Sequence, residues 1–295
     1  MAENPKVLRR RIRSIGSTRK ITRAMEMVSA AKLRRTQGIM SSGLPYADKL
    51  QELLGRLASA AGEFGHPLFR KPEASKTALV LFTGDRGLCG SFNNNIIEDA
   101  GRFIEERGKD NVCVYAIGRK GRDFCRKLGC ELVGEVVGLS GQVDGEATRQ
   151  AANDLRELFL SGQTREVFLL YNRFISQIEY RQTLAQFLPL EAEALLGEPA
   201  EGEETADGEI DYLFEPGREQ LFAQLLPRYL ESRMYITLAM AFTAEHSARM
   251  MAMSSATKNC GELIDSLTLK MNKARQAAIT KEILEVVGGA EALSG

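Results

Sequence analysis

The sequence has no tryptophan, only two histidines and no net charge, its 39 basic residues being matched by 39 acidic ones. A molecule so balanced offers nucleic acid or anionic lipid no overall attraction, so such partners would need a local patch. His66 lies before Pro67 in a connector, and His246 lies in an alanine-rich stretch beside Glu245. Neither has a nucleophile or second ligand at a meaningful spacing, which leaves little basis for imidazole catalysis; a surface or interface role is expected for both. The five cysteines, Cys89, Cys113, Cys125, Cys130 and Cys260, form no C-x-x-C pair, so zinc-site spacing is absent. An odd number without a secretion signal reads as reduced thiols packed as small apolar residues. No apolar run approaches the roughly 18 residues of a membrane span, and no signal-peptide pattern is present.

The charge that is present is sorted along the chain. Between Met1 and Arg35 about eleven basic residues face only Glu3 and Glu26, whereas Glu191 to Glu215 holds about ten acids and no base. An arginine-rich, acid-poor start also resembles a mitochondrial transit peptide, a reading opposed by the motifs described below. The acidic stretch 191–211, which includes the paired carboxylates Glu203 and Glu204, has too few large apolar groups to repay the entropy of ordering and is expected to be a mobile loop. Carboxylates in such a loop remain solvated, so they do not serve as an acid–base pair.

A chain of 295 residues predicts one or two folded units. From Val7 to Leu57 the residues Leu8, Ile12, Ile15, Ile21, Met25, Val28, Leu33 and Met40 recur mostly at three- and four-residue steps, the stripe of a long helix with basic other faces. Pro5 suits its start, and Pro45 is expected to kink it or reset it after Gly43. Between Lys76 and Leu190 the period shortens. The runs Thr77–Thr83, Val112–Ile117, Glu131–Gly138 and Val167–Tyr171 read as strands, and Asn94–Glu106, Lys120–Leu128 and Gly145–Leu160 as helices. Such alternation implies a mostly parallel, covered sheet, with Gln177–Leu188 added as an antiparallel edge strand.

After Pro227 no proline follows, and Arg228–Val287 reads as one helix of roughly 90 Å, too long to stand without a partner. Its seam, Leu230, Met234, Thr237, Ala241, Ala244, Ala248, Met251 and Ser255, is rich in small side chains that permit close approach. The fold class expected is therefore α/β: a long antiparallel coiled coil of N- and C-terminal helices with an inserted Rossmann-like α/β domain. Its parts would be a helix over 1–60, the α/β domain over 76–190, the acidic loop over 191–211 and a helix over 212–295.

Two constellations could carry chemistry. Gly84–Asn93, GDRGLCGSFN, follows a strand and opens a helix, the place where backbone amides attract phosphate. Its spacing is G-x-x-G-x-x-G, and it lacks the G-K-[ST] ending of a nucleotide loop. A nucleotide- or phosphate-binding α/β protein with a coiled-coil extension is nevertheless the rival reading, and it requires binding that weakens when Gly87 or Gly90 is replaced. Arg9, Arg10, Arg11 and Arg13 could grip nucleic acid, but no aromatic residues accompany them to stack on bases, and a solvated face beside acidic protein partners fits better. Met25, Met27, Met234, Met240, Met250, Met251 and Met253 suit either a core or a surface that re-packs.

The string ITKEILEVVGGAEA, Ile279 to Ala292, resembles the C-terminal signature of the gamma subunits of F-type ATP synthases. KITRAMEMVSAAKLRR, Lys20 to Arg35, is similar to that family's N-terminal helix, GDRGLCGSFN to the first turn of its α/β domain, and IDYLFEP, Ile210 to Pro216, to its foot. The matches stand in family order across nearly the whole chain. They make Lys20–Arg35 mature protein and favour a bacterial member. The inserted cysteine pair of chloroplast members is missing, since no cysteine lies between Cys130 and Cys260.

The resemblance implies a rotor without a catalytic site, cofactor or metal. Its partners would be the three alpha and three beta subunits that hold the nucleotides, the epsilon subunit and the membrane ring of c subunits. Neither nucleic acid nor membrane insertion is implied, and the location would be peripheral, on the cytoplasmic side of the cell membrane. By motif, Arg275, Gln276, Thr280, Glu282 and Glu285 match positions that touch a beta-subunit loop, with Met25 facing them from the other helix. Ile279, Ile283, Leu284, Val286 and Val287 would form a hydrophobic bearing. Tyr212, Phe214 and Glu215 match the foot at the ring and epsilon subunit, with Phe214 standing where members often have tyrosine. Pro227 also departs from the family's pattern.

Overall fold

A computed structural model describes residues 4–59, 66–191, 195 and 217–294. Its longest elements are the helices α1, Pro5–Ser59, and α5, Arg218–Ser294. Between them lie β1 (Thr77–Phe82), α2 (Phe92–Arg107), β2 (Val112–Ile117), α3 (Arg119–Leu128), β3 (Glu131–Val136), α4 (Gly145–Leu160), β4 (Glu166–Phe174) and β5 (Tyr180–Leu188). Two compact units are distinguished, Ala30–Ala248 and the paired segments Met1–Ser29 with Arg249–Gly295.

In the larger unit the strand order is β3-β2-β1-β4-β5, with β5 antiparallel to β4 at the edge and all other pairs parallel. Alternation along the strands divides the core. Ala78, Val80 and Phe82 of β1 join Tyr115, Val167 and Leu169 under α4, where Leu155 and Phe159 are fully buried. Leu79, Leu81 and Val114 face the other way, onto Ile96, Ala100 and Phe103 of α2 and Cys125 of α3. Both faces are covered, which explains why β1 and β2 are buried at every position. Local chemistry sets the ends: Asp144 caps α4 by accepting from the amides of Glu146 and Ala147, and Gly129 closes α3 in the left-handed conformation, φ 71°.

The first face also receives both long helices. Leu50, Leu54 and Leu57 of α1 and Phe222, Leu226, Tyr229, Leu230, Met234, Leu238 and Ala241 of α5 belong to the same core. A Cβ on Gly43 would lie 2.6 Å from Ile236, so the helices run close here. Arg233 ties α5 to the sheet edge, donating to the Gln186 carbonyl at 2.6 Å and lying over the Phe187 ring. Replacing Ala241, 3% exposed, by leucine is expected to overpack this contact at a cost of about 2 kcal/mol, read as a lower urea midpoint.

The smaller unit is a helix pair. Thr257 donates to the Thr22 hydroxyl at 2.8 Å, and Gly16, Arg19, Lys20 and Arg23 of α1 share a groove with Thr257 and Ile264.

Three expectations are corrected. The first helix is not reset at Pro45: α1 passes through it, and α5, which begins at Arg218, likewise runs through Pro227. A proline costs the helix a hydrogen bond and a clash with the preceding turn. Burial of Phe222 and Leu226 upstream of Pro227, and of Leu50 and Leu54 downstream of Pro45, outweighs that cost. The inward stripe of α1 also departs from the apolar one, since Ile21 and Val28 are exposed while Thr22, Ser29 and Thr36 are buried. On α5, Met251 and Ser255 are likewise exposed, and the inward positions are Met253 and, in part, Thr257. Small hydroxyl residues fit a close helix contact and return their protons to the preceding turn, as Thr36 does to Lys32 and Leu33.

Candidate functional site

The crevice beyond the carboxyl ends of β1, β2 and β3 is where an open α/β sheet holds a ligand. Here the chain fills that place with its own groups. Asp85, just past β1, accepts from the amide of Arg119 at the first turn of α3 (3.0 Å), from that of Gly138 (3.1 Å) and from that of Ser140 (2.7 Å). An internal carboxylate thus occupies the helix N-terminus that a phosphate would need. Partial burial pushes the Asp85 pKa up, but the three amides outweigh it and the net shift is downward.

The rest of the turn is equally self-satisfied. Asn93 accepts from the Gly84 amide at 2.8 Å and donates to the Arg86 carbonyl and the Cys89 sulfur, drawing 84–93 into a closed knot. A Cβ on Gly84 would lie 2.8 Å from Oε1 of Glu245 on α5. The neighbouring His246, 1% exposed, bonds through Nε2 to the Gly141 carbonyl at 2.8 Å; a carbonyl only accepts, so Nε2 carries the proton. Ser247 donates to the Gln177 carbonyl. From α1, Lys32 reaches the Ser140 carbonyl at 3.0 Å. The glycine-rich turn is therefore a socket for a helix.

His246 corrects the expectation of a surface or interface role: it lies inside the chain's own fold. His66 caps a short 3-10 turn, its Nδ1 accepting from the Leu68 amide, and burial lowers its pKa. Cys113 and Cys125 are buried thiols pushed up to about 11 and about 12 by desolvation, the opposite of a reactive cysteine. Among the described residues no group of three or more His, Cys, Asp or Glu is placed to hold a metal, and no helix is long and apolar enough to cross a membrane.

The motif-matched residues fall at the far end of α5. Arg275, Gln276, Thr280, Glu282 and Glu285 are all exposed, Thr280 donating back to the Gln276 carbonyl and Glu285 pairing with Lys281. Ile279, Ile283, Leu284, Val286 and Val287 are also exposed, from 48% for Ile279 to 73% for Val286. Met25 is half-buried and lies one turn from the Thr22–Thr257 contact; Arg275 stands about five turns, roughly 27 Å, beyond Thr257 on α5. The structure therefore does not bring Met25 opposite Arg275. Tyr212, Phe214, Glu215, Glu203, Glu204 and nearly all of the acidic stretch lie outside the described residues.

Sequence reasoning missed Asp85, Glu245 and Lys32. A small signal existed for one of them: an acid directly after the first glycine of a glycine-rich turn is a poor companion for phosphate.

Fold and site together define a class: an α/β domain carried on an antiparallel helix pair, its ligand crevice filled by its own helix and its last helix ending in an exposed apolar face. The family model described as ATP synthase matches residues 4–293. The ATP synthase gamma chain of Pelotomaculum thermopropionicum is 42% identical over 286 residues, 97% of this chain and 98% of that one. The gamma chain of Solibacter usitatus is 43% identical over 289 residues, 97% of each. The chain belongs to the ATP synthase gamma-chain family. Among solved structures, a chain of the Euglena gracilis mitochondrial ATP synthase is similar in fold, with a TM-score of 0.66 and 18% identity over 98% of this chain and 94% of that one. A chain of the Tetrahymena thermophila central stalk and c-ring gives 0.60 at 23%, covering 80% and 99%.

Proposed function

We propose that this protein is the rotor of an F-type ATP synthase, the central-stalk subunit that carries torque between a membrane ring and a catalytic hexamer of alpha and beta subunits. It is a non-catalytic subunit, and the nucleotide sites belong to its partners. One observation carries the reading beyond family membership. Past Arg275 the helix α5 continues to Ser294 with five large apolar side chains exposed, a surface that water penalises and a partner would cover. Apolar contact suits a bearing, because few directional hydrogen bonds resist turning within it.

Arg275, Gln276, Thr280, Glu282 and Glu285 are the proposed contacts to a beta-subunit loop, with Met25 a separate contact lower on the helix pair. Ile279, Ile283, Leu284, Val286 and Val287 are the proposed bearing. Tyr212, Phe214 and Glu215 are proposed to meet the c-subunit ring and the epsilon subunit. The working division is a helix over 1–60, an α/β domain over 76–190, a linking acidic loop over 191–211 and a helix over 212–295. The complex would sit at the cytoplasmic face of the cell membrane and couple to proton flow. Differential contact of an asymmetric shaft with each beta subunit would bias the three sites in turn.

Co-purification tests this. A tagged chain is expected to bring down alpha, beta, epsilon and ring subunits, and titration of ATP or NAD into the chain alone is expected to give no binding heat. Recovery of the chain alone, or micromolar nucleotide binding that weakens on Gly87→Ala, would favour the rival nucleotide-binding protein.

A further inference from the structure

Five consecutive residues of α5, Thr243 to Ser247, are buried to 3% exposure or less. At 3.6 residues per turn they cover the whole circumference, so the helix is gripped on every side. The grip comes from three separate loops of the α/β domain. The loop after β1 presents Gly84 to Glu245, and its Cys89 packs on Ala244 together with Phe92, the first residue of α2. The loop after β3 presents the Gly141 carbonyl to His246. The turn between β4 and β5 presents the Gln177 carbonyl to Ser247.

This collar is built closely. A Cβ on Gly141 would stand 2.3 Å from the His246 ring, and Ser140 and Gly141 both adopt positive φ, 50° and 75°. A serine rarely takes that conformation, and here its peptide is pinned from both ends: its amide donates to Asp85 and its carbonyl accepts from Lys32 of α1. The loop that holds His246 is therefore itself held by β1's end and by the other helix.

Glu245 and His246 are poor choices for simply filling a core, because burying such groups costs free energy that an alanine or leucine would not. Directional contacts do something apolar packing does not. Side-chain tips ride about 5 Å from the helix axis, so a twist of about 20° within the collar shifts them by roughly 2 Å, enough to break a 2.8 Å hydrogen bond. Apolar surfaces sliding by the same amount lose far less.

We propose that this collar is the torsional joint between α5 and the α/β domain, with Glu245, His246 and Ser247 as the positioning residues that set its stiffness. The proposal rests on the rotor reading above and adds the place where torque enters the helix. The test is the angular fluctuation of a bead attached to the α/β domain of the assembled complex, with the hexamer immobilised and paused. The double variant H246A/S247A is expected to assemble and to widen the angular variance about twofold, whereas His246→Gln, which keeps an N–H donor, stays at the parent's value. Lys32→Met and Ser247→Ala, each removing one contact without opening the core, are expected to widen it by about half, which keeps the test decisive if the double variant does not assemble. Variants that assemble at parental yield with parental variance overturn the collar and leave the rotor reading intact. A parent chain that never assembles removes both.

Discussion

Replacing Gly118 by alanine is expected to destabilise the α/β domain by roughly 4 kcal/mol, read as a large drop in the urea midpoint. Gly118 sits between β2 and α3 at φ 98°, and a Cβ there would lie 2.0 Å from the carbonyl oxygen of Thr83. That carbonyl has nowhere to go. The Thr83 amide donates to the Ile117 carbonyl at 2.8 Å, and the Thr83 hydroxyl accepts from the Gly121 amide at 2.8 Å. Relieving the clash would break the parallel ladder at the ends of β1 and β2 and the first turn of α3 together. Gly87→Ala is the control: nothing lies within 4 Å of its Cβ position, so a change within about 0.5 kcal/mol is expected. A nucleotide-binding turn would give the reverse order of functional importance.

Asp85→Ala is expected to cost about 3 kcal/mol, because three amides lose a charged acceptor at once. Its effect should also depend on pH in a defined direction. Desolvation raises the Asp85 pKa, the bonds from Ser140, Gly138 and Arg119 lower it, and the folded value ends below the model-peptide value of 3.8. A carboxyl whose folded pKa is depressed contributes stability that is present above its unfolded pKa and lost as pH falls through the folded one. The gap in unfolding free energy between the parent and Asp85→Asn should therefore be flat from about pH 7 to 5 and shrink below about pH 4. A gap that grows on acidification would contradict the assigned contacts.

These residues also mark how far the sequence could be read. The sheet and its helices were legible because each strand is a short apolar run and helical stretches separate them; the cap that starts α4, Asp144, came only from the structure. The antiparallel edge strand was legible from its alternation. A reset at Pro45 was expected because a local rule was weighed without the tertiary burial of Leu50 and Leu54 that overrides it. The seam of α1 misled for a different reason. Hydrophobicity marks Ile21 and Val28, but close helix contact selects small side chains, and Thr22 and Ser29 are the residues buried.

The collar was not legible at all. Its members are spread over Lys32, Asp85, Ser140–Gly141, Gln177 and Glu245–Ser247, and no short motif joins them. A histidine inside an alanine-rich helix carries no sign of which carbonyl it will meet. The apolar end of α5 was legible as a pattern, but periodicity alone reads it as core; only its exposure shows that this chain supplies no partner for it among the described residues.

The most direct test of the rotor account is reconstitution. The purified chain is mixed with a hexamer of three alpha and three beta subunits that lacks a gamma chain, and rotation of a bead on the α/β domain is followed under ATP. Stable assembly with rotation in one direction, driven by hydrolysis that the chain alone does not perform, is the result the account predicts. A chain that leaves the hexamer unoccupied, or binds it and does not turn, would contradict it.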